Sequence, residues 1–129
     1  MSDVKRGNRP LSPHLEIYRP QMSSVSSILI RLSGIGLVAG LLMLAVWLCI
    51  VSCGPETYER YSWLFENWIA NLIWMGSIWA LIYHMLGGIR HWVYDLGFGF
   101  DLKTSDLMGW GMVLGSVVIT AGIVGTVWS

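Results

Sequence analysis

Three stretches of this chain carry no charged side chain at all: Leu32 to Pro55, Asn67 to Ile89 and Leu107 to Ser129. Each exceeds the roughly 20 residues that carry a helix across the hydrocarbon core of a bilayer. Three such runs in 129 residues leave no room for a soluble core. Charged residues make up only 12% of the chain, against about a quarter in a soluble domain. The expected fold class is therefore all-α, an integral membrane protein of three transmembrane helices. It reads as one domain, 1–129, with a polar lead-in over 1–22 and spans at about 25–53, 65–92 and 107–128.

The cations are unevenly spread. Lys5, Arg6, Arg9, Arg19 and Arg31 precede or open the first span, and Arg90 and Lys103 lie between the second and third. Arg60 alone occupies the first connection, and the tail has none. Positively charged loops stay in the cytoplasm, which predicts a cytoplasmic N-terminus and 90–106 loop. The start does not read as a signal peptide: its apolar run begins late and is too long. It is also too short, before that run, for an organelle transit sequence. Pro10, Pro13 and Pro20 predict an extended lead-in with one short turn near His14. The serines at 23, 24, 26 and 27 are expected to cap the first helix. Cys49 and Cys53 fit no haem-attachment or zinc pattern and read as small packing residues.

His84 lies six residues before Arg90, roughly 9 Å inside the charged end of its helix. A polar group at that depth is costly unless paired, so position alone leaves two readings: a metal ligand, or a histidine bonded to a neighbouring helix. Gly87 and Gly88 follow one turn on, and Arg90 and His91 stand at the rim. A buried imidazole, then a clearing, then cations suit a b-type haem whose propionates reach the basic edge. His91 stands roughly 10.5 Å along the same helix and cannot share one iron with His84. A bis-histidine haem then needs its second ligand from another chain. Asp95 reads as a salt-bridge partner of Arg90, with proton uptake the alternative.

Ser23, Ser27 and Arg31 recur at helical spacing and share a face. Arg31 by itself reads as an arginine snorkelling to the headgroups. With the serines, the face also reads as a polar pocket for a quinone carbonyl, with a hydroxyl donor and a cation for developing negative charge.

The segments "RPLSPHLEIYRP", "SILIRLSG" and "HMLGGIRHWVYDLG" resemble, in order and spacing from Arg9 to Gly97, the cytochrome b membrane-anchor subunits of succinate dehydrogenase (complex II). That resemblance implies a subunit in a bacterial inner membrane that shares haem b with a second small anchor. It implies His84 as an axial ligand of the haem iron, Ser27 and Arg31 at the ubiquinone site, and Arg31 close to a propionate. His91 is at most a propionate-rim contact. The partners implied are the second anchor, an iron–sulfur subunit and a flavoprotein subunit, with lipid around them; no nucleic-acid partner is expected. The chain has no flavin fingerprint or iron–sulfur cysteine set, so succinate oxidation itself lies elsewhere. Two alternatives are an anchor of a quinol:fumarate reductase and a haem-free structural anchor. The sequence departs from the family pattern at Ile30, where histidine is usual, and at Trp92, where a smaller apolar residue is common.

Overall fold

The structure is a computed structural model that describes residues 18–127. Most of the expected lead-in, including His14, lies outside the described residues. The helix α1 spans Met22–Ser52, α2 Pro55–Tyr61, α3 Trp68–Asp95 and α4 Leu102–Val127, with a short 3-10 turn at Ser62–Leu64 before α3. Among the described residues there is no strand. The three long helices are each long and apolar enough to cross a membrane. The α3 helix is central: it packs against both α1 and α4, and those two meet over a smaller contact.

The buried stripes are made mostly of small residues, with Tyr83 and Met112 the large exceptions. On α1 they are Ser26, Ser33 and Gly40, spaced seven apart. On α3 they are Ala70, Ala80, Tyr83 and Gly87, and on α4 Gly109, Met112, Ser116 and Thr120. Leu, Ile and Val point outward instead; Ile35, Leu41 and Val118 are all exposed. This inverts the soluble pattern because lipid tails are as apolar as leucine. What drives association is close backbone approach and interhelical hydrogen bonding. At Gly40, a Cβ would stand 2.9 Å from Ser77 Cβ, closer than two carbons tolerate. Trp79 Nε1 donates to Ser116 Oγ at 3.1 Å and ties α3 to α4.

Helix ends set the remaining boundaries. Gln21, not a serine, is the N-cap of α1 and makes no side-chain cap bond. The serines lie inside the helix, where Ser26 Oγ donates back to the Ser23 carbonyl at 3.1 Å. Asn67 does cap α3, its Oδ1 accepting from the Ala70 amide at 2.9 Å. The α4 helix begins before the expected 107 because Asp101 accepts from the Thr104 amide at 3.0 Å and its hydroxyl at 2.8 Å. Gly97 and Gly99, at φ 85° and 80°, turn the chain between α3 and α4 in a region that side-chain-bearing residues avoid. Cys49 and Cys53 are unbonded and exposed, so they do not pack inside this chain.

Candidate functional site

His84 sits on the outer side of α3 and is exposed, but its ring is held against α1. Its Nδ1 lies 3.1 Å from the Ile30 carbonyl oxygen and 3.2 Å from Ser33 Oγ. A carbonyl oxygen can only accept, so this contact requires the proton on Nδ1. Ser33 Oγ donates its own proton to the same carbonyl at 2.8 Å. It can therefore receive the Nδ1 proton as a second acceptor. In the neutral tautomer with Nδ1 protonated, the lone pair is on Nε2. Among the described residues, Nε2 has no partner. Gly34 on α1 makes the seat possible: a Cβ there would stand 3.2 Å from His84 Cε1. An imidazole anchored through one nitrogen and presenting the other is the arrangement that metal-binding histidines adopt.

The two glycines after His84 have different surroundings. A Cβ at Gly88 would meet nothing within 4 Å, and Gly88 shares the outer face of His84 one turn on. Gly87 is buried, and its missing side chain makes room for Ile30 of α1 and Met112 of α4. Gly87 is therefore a helix-packing glycine, and only Gly88 remains as open space beside the imidazole.

A cavity of about 330 Å³ lies at the same end of the bundle, between the start of α1, the end of α3 and the start of α4. Ser23, Ser26 and Ser27 line it from α1; Gly87, Arg90, His91 and Tyr94 from α3; and Ser105 and Met112 from α4. Ile30 and Phe100 give it apolar wall. Ser23, Ser27 and His91 thus come together. Arg31 does not line this cavity: it is exposed, one turn deeper along α1 than Ser27. His84 is also outside the lining.

Arg90 organises the cavity. It donates through Nη1 to Ser26 Oγ at 2.8 Å, and through Nη2 to Ser105 Oγ at 2.9 Å and the Ser105 carbonyl at 3.0 Å. Its guanidinium carbon stands 5.1 Å from the centre of the Tyr94 ring, and Tyr94 Oη is 3.0 Å from Ser105 Oγ. One side chain therefore joins all three long helices. The expected salt bridge to Asp95 is absent among the described residues, because Ser26 and Ser105 occupy the guanidinium instead. All its hydrogen-bond acceptors are neutral oxygens, so its positive charge is uncompensated where it meets the cavity. Ser33, Tyr94 and Ser105 were not picked out from the sequence, and Ser26 was read there only as a helix cap. The heptad step from Ser26 to Ser33 to Gly40 is the signal that marks the first two as inward-facing.

The pattern of the succinate dehydrogenase/fumarate reductase transmembrane subunit family matches residues 5–123. The chain belongs to that family. It is 40% identical over 119 residues to the succinate dehydrogenase cytochrome b556 subunit of Paracoccus denitrificans, covering 92% of each chain. It is 40% identical over 112 residues to the cytochrome b556 subunit of Rickettsia conorii, covering 87% of each. It is 39% identical over 101 residues to the cytochrome b560 subunit of Marchantia polymorpha, covering 74% of each. Membership makes this chain a membrane-anchor subunit. Both departures from the family pattern can be located. The Ile30 side chain turns inward onto Gly87, while only its carbonyl serves His84. Trp92 is 72% exposed and packs on little in this chain.

Proposed function

We propose that this chain is the cytochrome b anchor of a succinate:quinone oxidoreductase in a bacterial inner membrane. In this reading it holds one side of haem b through His84 and forms part of a ubiquinone-reduction site around Ser27. The observation that carries the proposal is the imidazole of His84, tied to α1 through Nδ1 and offering Nε2 outward. That donor fits haem iron, and the open surface at Gly88 fits a flat macrocycle beside it.

Haem b, when bound, supplies a one-electron store next to the quinone path. The chain's own residues do the rest. Ile30 and Ser33 fix the ring plane and tautomer of His84, so that Nε2 meets the metal without reorganisation. Arg31, exposed on the same end of α1, provides a cation for a propionate or for the quinone. Ser27, in the cavity wall, offers a hydroxyl to a quinone carbonyl, and Arg90 lends positive charge behind it. Hydrogen-bond donation and positive charge both favour the added electrons on the carbonyl oxygens. His91, exposed at the cavity rim, is the propionate-side or solvent-side contact. Because His84 points outward, any second protein ligand of the iron would come from another chain. A second anchor, an iron–sulfur subunit and a flavoprotein subunit are the partners this reading requires. The basic end of the bundle, with Arg19, Arg31, Arg90 and Lys103, faces the cytoplasm.

The test is spectroscopic and kinetic, on the purified complex. His84→Ala is expected to abolish the reduced b-type absorption band; its survival would sink the ligand assignment. Ser27→Ala and Arg31→Ala are expected to impair quinone reduction, and wild-type KM and kcat in both would refute the pocket.

A further inference from the structure

One residue belongs both to the cavity and to the seat of His84. The side chain of Ile30 lines the cavity, while its backbone carbonyl holds the imidazole. Among the described residues, no other member of the cavity lining hydrogen-bonds to His84. Ile30 is also the deepest α1 residue in that lining. With Gly87 of α3 and Met112 of α4 it stands at the cavity's inner end.

The contact is stiff on its inner side. A Cβ on Gly87 would overlap Ile30 Cδ1 and stand 2.7 Å from Cγ1, so the side chain already rests against the α3 backbone. The χ1 angle of a β-branched residue is nearly fixed in a helix. A group pressing on Ile30 from the cavity therefore cannot rotate the side chain away or drive it into α3. It moves the α1 backbone, and with it the carbonyl that accepts from His84 Nδ1 at 3.1 Å. Close-packed interiors transmit such displacements because few voids absorb them. Ser33 does not compensate, because it rides on the same helix as Ile30.

We propose that Ile30 is a positioning residue that couples occupancy of the cavity by a quinone ring to the reduction potential of the haem held by His84. The coupling rests on the roles proposed above for His84 and for the cavity. An Nδ1–H bonded to a carbonyl raises the basicity of the imidazole at Nε2. Hydrogen bonding to the ligand is in turn one of the levers on haem potential. A ring that presses α1 off α3 lengthens that bond, makes Nε2 a weaker donor and favours ferrous iron, so occupancy raises the potential. Coupling between two sites is reciprocal: the reduced complex holds the ring more tightly by the same factor. An electron waiting on the haem thus favours a filled cavity.

The experiment is a spectroscopic redox titration of the b-type band in the purified complex. It is run with and without saturating tetramethoxytoluene, a redox-inert analogue of the ubiquinone ring. The analogue is expected to raise the wild-type midpoint by about 59 mV, the one-electron equivalent of a tenfold change, which is within the usual range for two linked sites. Ile30→Val keeps the carbonyl and removes Cδ1, and should abolish most of that shift. Gly87→Ala presses on Ile30 from α3 and should raise the midpoint without analogue; Ile30→Val in the same chain should restore it. No shift in the wild type, or the full shift in Ile30→Val, overturns the coupling. An unmoved midpoint in Gly87→Ala overturns the hold of this contact on the ligand. The haem-free full chain in micelles gives a second readout, the His84 Nδ1 proton resonance, which moves upfield as its hydrogen bond lengthens. A resonance that ignores the analogue overturns the link with no haem involved. A wild-type complex without a b-type band defeats the haem reading instead, so the two failures are distinct.

Discussion

Replacing Gly87 with alanine tests how the functional end of the bundle is assembled. A methyl there would overlap Ile30 Cδ1, lie 2.7 Å from Ile30 Cγ1 and lie 3.2 Å from Met112 Cε. Met112 is flexible and can move away. Ile30 is β-branched, and its χ1 is nearly fixed in a helix, so Cγ1 near the stem cannot swing clear. The conflict must be met by α1 shifting from α3. Overpacking of this kind costs about 1–3 kcal/mol, offset by about 1 kcal/mol from alanine's better helix propensity. The expected net is a loss of up to about 2 kcal/mol. Ile30→Val removes the overlapping Cδ1, costing about 0.5–1.5 kcal/mol by itself. In the double variant the two losses should not add, falling short of the sum by about 0.5 kcal/mol or more. The assay is reversible unfolding in mixed micelles titrated with a denaturing detergent, followed by far-ultraviolet circular dichroism. A Gly87→Ala chain as stable as wild type, or strict additivity with Ile30→Val, refutes the packing role.

Gly88→Ala should behave in the opposite way. It meets nothing within the chain, so stability should hold or rise by up to about 1 kcal/mol, whereas the b-type absorption band should weaken because the methyl enters the His84 face. Ser33→Ala leaves the Ile30 carbonyl to hold Nδ1, so haem retention should fall by about tenfold rather than vanish, measured by haem loss to an apo-globin acceptor. Asn67→Ala removes the α3 cap and should cost about 1 kcal/mol in the same micelle titration. The Asp101 carboxyl is held below its ordinary value of 3.8, chiefly by the Thr104 amide. The stabilisation it gives α4 is therefore complete above that ordinary value and lost as pH falls through the lower, folded one. The thermal midpoint of the wild type should drop as pH falls below that ordinary value and through the lower, folded one, and Asp101→Asn should flatten that drop.

The three uncharged runs determined by themselves that the chain is helical and crosses a membrane, because a backbone in lipid must satisfy its own hydrogen bonds and runs of that length fit a helix rather than a strand. Sequence also marked His84, Ser27 and Arg31 as the polar groups worth explaining, since each stands near or inside a span where polarity is costly. It could not say which way they face. In a soluble helix the apolar stripe marks the inside; here leucine and valine cover the outward faces, and mostly small residues, at heptad spacing on α1, mark the interior. Tertiary packing therefore decided the rest. It separated Gly87 from Gly88 because Ile30 approaches only the first. It put Arg90 rather than Arg31 in the cavity wall because Ser26 and Ser105 converge on α3 from both sides. It turned the imidazole of His84 outward because the Ile30 carbonyl, which no residue type announces, takes its Nδ1 proton.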